Sequence, residues 1–405
     1  MLKWFMLFVY VAIMTYILWR SLYCITGIHS KLKKKSLYIS SIVIAAILCS
    51  TLILGGLFPS GSLKVILHKF SNVWLGFYLY LFTYIIFADI IILILKKIHK
   101  KNRRITILEK EYGRAIVTGV ILAISITSVI YGYNHAEHIV TNSYEATVEK
   151  DAGAVTELNV VLISDFHLGY SIGCEMMEDM VNKVNALEPD LIVIAGDIVD
   201  NDYDALDDPE RLASILSGLK STYGTYAVYG NHDVKETLIG GFSIASSVKA
   251  LRDERLEQLM EACHITMLED ESILVDDSFY LVGRLDAEKT GKETAGREST
   301  ENLLKNLDHS KPIFLLSHEP DELEENAEAG VDVMLSGHTH AGQFFPLTIV
   351  QPIVYQNYWG YLQVENMHSY VSSGIGVYGP KLRVLTDSEI MQIKLHFTGE
   401  KESGK

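Results

Sequence analysis

Cysteine is scarce in this chain: four in 405 residues, Cys24, Cys49, Cys174 and Cys263. The first two fall in or near apolar runs, and two more of unknown separation make no disulfide framework. Free thiols are expected. Acid is nearly missing from the first third. Up to Tyr133 there are 16 basic and 3 acidic residues, and beyond it 19 and 47, so the two parts carry +13 and −28. The overall charge of −15 excludes a basic nucleic-acid binder. Internal repeats and long low-complexity segments are also lacking. With 49% hydrophobic residues distributed so unevenly, neither a disordered chain nor one uniform globule fits. The length allows two or three domains.

What the front does have is apolar runs: Trp4–Leu18, Leu37–Leu57, Val73–Leu95 and Ala115–Tyr133. The last three have the ~20 residues that cross a bilayer at 1.5 Å per residue. The first is shorter, but Trp4 and Trp19 bracket it as interfacial anchors do. No small-x-small cleavage site follows it, which argues against a removed signal peptide. Four spans are expected within residues 1–133, making a multi-pass protein of the cell membrane. Arg20, Lys31, Lys33, Lys34 and Lys35 lie between the first two spans. Lys96, Lys97, Lys100, Lys101, Arg103, Arg104, Lys110 and Arg114 lie between the last two. The middle loop has only Lys64 and Lys69. Positive charge marks the cytoplasmic side, so the acidic back is expected outside the cytoplasm. Asp89, the one carboxylate within a span, reads either as a polar helix contact or ligand path, or as a carboxyl that is neutral or snorkels.

Residues 134–156 read as a tether, 157–397 as one domain and 398–405 as a polar tail. Within the domain, Leu158–Ile163, Leu191–Ala195, Thr225–Tyr229, Ser278–Val282, Ile313–Leu316, Val331–Leu335, Tyr370–Ser372 and Ile390–Phe397 read as strands. Glu175–Leu187, Leu212–Leu219, Ser247–Ala262 and Thr300–Leu307 read as helices. Alternation of this kind predicts an α/β fold with crossover connections and a buried sheet.

The informative residues follow the strands: Ser164-Asp165-Phe166-His167, Gly196-Asp197-Ile198-Val199-Asp200, Gly230-Asn231-His232-Asp233, Ser317-His318-Glu319 and Gly337-His338-Thr339-His340. Strand ends are where side chains from different strands converge in such folds. Each cluster alone is weak, since a single buried His is usually a satisfied core residue. Five in this order, each abutting a strand, form a coherent set. Asp165, His167, Asp197, Asn231, His318, His338 and His340 offer oxygens and imidazoles, suited to Mn²⁺, Fe, Zn²⁺ or Ni²⁺ rather than Ca²⁺. Seven ligands are too many for one such ion and fit two divalent metal ions sharing a carboxylate.

These clusters resemble the calcineurin-like metallophosphoesterase superfamily. The runs Ile194–Asp200, Leu335–Gln343 and Ser372-Ser373-Gly374 are similar to its membrane-associated bacterial, YkuE/YaeI-like branch, over about 240 residues. Only Ala341 departs, standing where Gly is common. The resemblance implies a four-layer α/β/β/α sandwich with Asp165, His167, Asp197 and His340 on one metal. Asp197, Asn231, His318 and His338 would hold the other, with Asp197 bridging. It implies hydrolysis of phosphodiester or phosphomonoester bonds by metal-activated hydroxide, with His232 as the acid that serves the leaving oxygen and Asp200 orienting that His.

The family's protein phosphatases usually carry Asp-Arg-Gly and Gly-Asn-His-Glu where this chain has Asp200-Asn201-Asp202 and Asn231-His232-Asp233, which argues against that branch. Held at a bilayer, the site is expected to meet lipid head groups or envelope precursors, so the partners are membrane lipids and a phosphoester. Arg284 and Arg297, beside or within the polar loop Asp286–Ser299, are the cations available to pair a phosphate, against a plain solvated loop as the commoner outcome. The competing readings are a membrane sensor or scaffold without turnover, a transporter or receptor in which the spans act, and a lipid-precursor pyrophosphatase.

Overall fold

The computed structural model describes residues 8–20, 34–57, 61–98, 111–236, 238–239, 242–243, 251–291 and 296–399. The basic loops at 21–33 and 99–110 therefore lie outside the described residues, as do Cys24 and most of the polar tail.

The front contains helices α1 (Phe8–Arg20), α2 (Lys34–Leu57), α3 (Ser62–Ile98) and α4 (Glu111–His135). Two of them are long and apolar enough to cross a membrane, at Leu63–Ile98 and Gly113–His135. The other two expected spans stand as shorter apolar helices, Phe8–Arg20 and Ile39–Leu48. The middle loop is shorter than the sequence suggests, because Lys64 and Lys69 already belong to α3. Met14 and Ile17 of α1 pack on Leu75, Tyr78, Leu81 and Ile85 of α3. Asp89 finds its partners on α1, where Arg20 Nη2 lies at 2.7 Å from Oδ1 and the Tyr16 hydroxyl donates to Oδ2 at 2.6 Å. Of the two readings, the polar helix contact describes it: a carboxylate in an apolar helix is tolerable once paired.

The back folds into two six-stranded mixed sheets. The first contains β1 (Ile139–Val148), β2 (Glu157–Ile163), β3 (Leu191–Ala195), β4 (Thr225–Val228), β5 (Ile265–Met267) and β12 (Ser388–Phe397), in the order β1-β12-β2-β3-β4-β5. The second contains β6 (Glu271–Val275), β7 (Phe279–Gly283), β8 (Ile313–Leu316), β9 (Val333–Ser336), β10 (Gly360–Val364) and β11 (Met367–Val371), in the order β10-β11-β9-β8-β7-β6. Pairs β2–β3–β4–β5 and β7–β8–β9–β11 are parallel. Their C-terminal ends carry the clusters.

Alternation along each strand sorts the side chains. Val160, Leu162, Leu191 and Val193 of the first sheet share a core with Phe279, Leu281, Phe314, Leu316, Val333 and Leu335 of the second. The opposite faces, Val161, Ile163, Ile192 and Ile194, pack on helices α5 (Cys174–Ala186), α6 (Pro209–Leu216) and α7 (Glu254–Ala262). Val282, Ile313, Leu315 and Met334 pack on α8 (Thr300–Leu304) and α9 (Leu323–Glu328). Local chemistry sets the helix starts: Asp208 accepts the Arg211 N–H at 3.0 Å and Pro209 occupies the first turn, where its missing donor is not needed.

Within the segment expected as a tether lies the strand β1. Residues 139–148 pair in parallel with the whole of β12, Ile139 opposite Ser388 through Val148 opposite Phe397. Its burial alternates, with ends sealed by Ile139 and Val148, and its short polar-apolar pattern lacks the continuous apolar run that marks a central strand. Cys174 and Cys263 are free and buried. Helix α10 (Leu347–Val354) was not foreseen.

Candidate metal centre

Turning from strand to loop at the sheet edge requires backbone conformations that side chains disfavour. Asp165, His167, Asp197, His338 and His340 all have positive φ, between 46° and 71°. Strain of that kind persists where the surroundings over-determine it, commonly at functional sites. Gly196 supplies the opposite case: at φ +80°, a Cβ there would lie 2.7 Å from His318 Nδ1, so only Gly admits the ring.

All seven expected ligands come together. His167 Nε2 and His340 Nε2 face each other at 3.0 Å, with Asp165 Oδ1 3.5 Å from the latter. A second group joins Asp197, His318 and His338. In it, His318 Nε2 lies 3.1 Å from Asn231 Oδ1 and 3.2 Å from His338 Nδ1. Asp197 Oδ2 belongs to both, at 3.5 Å from His167 Nε2 and 3.2 Å from His318 Nε2. The other Asp197 oxygen accepts the His232 backbone N–H at 2.8 Å, so the carboxylate is fixed with one oxygen facing inward. The Ala195 carbonyl accepts from His318 Nδ1 at 2.7 Å, which leaves Nε2 as the nitrogen aimed at the cluster. Every one of these side chains is nearly or fully inaccessible except His338, which is partly exposed.

Charge is distributed to match. Burial raises the Asp165 carboxyl above its ordinary range, against the pull of His318. Burial acts on Asp197 in the same sense, but His318, His232 and His167 together hold it well below that range. The His318 ring, which burial alone would lower, is held well above the usual histidine value by Asp197 and Asp165. His167 is likewise raised, by Asp200 and Asp197. Burial, followed by the neighbouring charge of His318, takes His338 down to about 3, and burial with His167 lowers His340. The cluster thus sets carboxylates against two imidazoles held up and two held down, and its nitrogen and oxygen donors are of the kind that fit divalent cations.

His232 lies beside the cluster, its ring 5.0 Å from that of His167, and both Asp200 and Asn201 face it. Asn201 Oδ1, not Asp200, makes the close contact to His232 Nδ1, at 2.6 Å; the Asp200 carboxylate is 3.5 Å away and also 3.8 Å from His167 Nδ1. Burial would raise Asp200, but these two imidazoles hold it low. The Asn201 amide nitrogen donates to the Val234 carbonyl at 3.0 Å, so its oxygen must be the atom facing the ring. Tyr378 packs on the same ring, centroids 4.5 Å apart.

Sequence reasoning also missed the clasps behind the ligands. Arg383, wholly buried, donates through Nη2 to the carbonyls of Ser373, Gly374 and Gly376 at 2.6–3.0 Å and through Nη1 to that of His340 at 3.3 Å. Asp233 ties two ligand loops, accepting from Val199 N and Gly230 N. Tyr355 meets His338 Nε2 at 3.0 Å. The proposed phosphate cations are already engaged. Arg284 is buried and paired with Glu322 at 2.9 Å, and Arg297 with Asp321 at 2.7 Å. Both therefore serve the fold, and 292–295 of that loop lie outside the described residues.

Residues 158–342 match the family model of the calcineurin-like phosphoesterases. The back of the chain carries a calcineurin-like phosphoesterase domain. A Danio rerio protein named transmembrane protein with metallophosphoesterase domain is 33% identical over 282 residues, 68% of this chain and 62% of that one. An uncharacterized metallophosphoesterase of Helicobacter pylori is 30% identical over 241 residues, 59% of this chain and 60% of its own. The metallophosphoesterase YkuE of Bacillus subtilis is 29% identical over 280 residues, 66% of this chain and 91% of that relative. The chain spans about three fifths of the first two. In this calcineurin-like domain the site lies on the strand-end loops of both sheets, within and just beyond the matched residues.

Proposed function

We propose that the protein is a membrane-anchored phosphoesterase working with two divalent cations, and that a phosphodiester is its substrate class. The observation that carries this reading is Asp197 Oδ2, shared between two groups of nitrogen and oxygen donors. Asp165, His167 and His340 would hold one ion and Asn231, His318 and His338 the other. When bound, such a pair supplies an acidified water as nucleophile and positive charge for the phosphoryl oxygens.

The chain's own residues do the rest. A carboxamide oxygen only accepts, so Asn201 fixes the hydrogen of His232 on Nδ1 and leaves Nε2 to hold and hand over a proton. Tyr378 keeps the ring from turning. Asp200, between His167 and His232, sets the charge around both. The apolar helices of the front would anchor the site at the bilayer, on the extracytoplasmic side by the loop charges, where a head group or envelope precursor presents a phosphodiester.

The test is hydrolysis of bis(p-nitrophenyl) phosphate beside the monoester by the purified full chain, chelated and then given Mn²⁺. Turnover of the diester that Asp197→Ala abolishes is the expected result. A metal-loaded, folded protein inactive on both compounds would leave a binding role instead.

A further inference from the structure

Helix α10 inverts the pattern that governs soluble helices, which turn apolar residues inward. None of its residues is buried. The half-buried positions are the polar ones, Thr348 and Gln351, continued by Tyr355 one turn on. That spacing of three and four residues puts them on one face, and Gln351 Oε1 is buried without a partner. The outward face is Leu347, Ile349, Val350, Ile353 and Val354, each 45–80% exposed. From Ala341 to Val364 no acidic, basic or histidine residue occurs, in a domain otherwise rich in charge. Exposed Trp359 follows the helix. Through Tyr355 and His338 the helix borders the metal centre.

We propose that α10 is a lipid-facing helix that dips its apolar face into the bilayer surface beside the metal centre. The proposal rests on the reading of α4 as a membrane span. That helix ends at His135 and β1 begins at Ile139. Only residues 136–138 separate the two elements. So short a link tethers the domain close to any bilayer that α4 crosses. A surface of net −28 is repelled by anionic lipid, so an uncharged patch is the part able to touch a membrane. Apolar side chains flanked by Trp suit the head-group boundary. Seated there, the centre would take the phosphodiester of an amphiphile without lifting it from the membrane.

The experiment uses the full chain in phosphatidylcholine vesicles, with Cys24 and Cys49 replaced by Ser. A nitrobenzoxadiazole probe is placed at Ile353→Cys and, for comparison, at exposed Glu301→Cys. The expected result is a blue-shifted probe at 353, quenched by doxyl-labelled acyl chains and shielded from aqueous iodide, with the probe at 301 the reverse. Iodide quenching at 353 equal to that at 301 would overturn the proposal. Shielding from both quenchers would also overturn it, by showing a protein cover. Ile353→Glu with Val354→Glu should lower hydrolysis of a phosphodiester lipid in the vesicles at least 10-fold and leave that of bis(p-nitrophenyl) phosphate unchanged. Inactivity of the parent chain on both substrates would remove the catalytic reading while the probes still decide the docking. Release of the chain from vesicles by carbonate would remove the membrane reading and this proposal with it.

Discussion

Asp200 and Asn201 are neighbours in sequence with different tasks. Asn201 Oδ1 is 2.6 Å from His232 Nδ1, whereas the Asp200 carboxylate stands between two rings at 3.5 and 3.8 Å. Asn201→Ala should therefore loosen His232, lowering kcat on diesters with poor leaving groups about 10–100-fold, the usual range for lost supporting contacts. KM and metal content should stay unchanged, and p-nitrophenolate release should suffer less, because that leaving group needs no acid. Asp200→Asn should act on His167 as well, so its signature is weaker metal retention during dialysis. Equal loss of metal in the two variants would refute the division. Sequence reasoning assigned the orienting role to Asp200 through the family's pattern. Nothing in a linear sequence tells which of two adjacent polar residues turns toward a ring.

At the scale of elements, legibility followed periodicity. Strands such as Leu191–Ala195 and Ile313–Leu316, buried on both faces, are continuous apolar runs that announce themselves. The ligands were readable because they abut those runs. β1 was not readable: its outward positions are polar, and its identity depends on β12, some 250 residues away. α10 was missed because its apolar residues neither run long enough for a span nor face a core. The clasp of Arg383 was equally hidden, since its partners are backbone carbonyls that any sequence would supply. β1 covers β12 along all ten pairs, so its loss would turn a paired strand into a bare edge, which invites aggregation. A chain beginning at residue 157 is thus expected to be largely insoluble, or to unfold at clearly lower temperature, compared with one beginning at 134. Matched solubility and melting of the two would show that β1 is dispensable.

At the scale of the whole molecule, protons and metals compete for one cluster, which couples stability to pH. Without metal, the imidazoles of His318 and His167 are held above the ordinary histidine value, and their pairing with Asp197 and Asp200 replaces the cations. A raised histidine contributes stability that is complete below its unfolded value of about 6.5 and is lost as pH rises through its folded value. Asp197, held low, contributes stability already present above about pH 3.9 and so does not vary in this window. Metal needs the rings unprotonated, so binding releases protons and strengthens with pH. The metal-free protein should therefore weaken from pH 6 to 8.5 while the Mn²⁺-loaded protein gains from tighter binding. The measurement is the unfolding midpoint of the phosphoesterase domain with saturating Mn²⁺ and with chelator, across that range. A gap that widens with pH fits a cluster in which protons stand in for cations. A gap that is constant or narrows would mean that His318 and His167 do not hold the exchanged protons, and that the metal sits elsewhere.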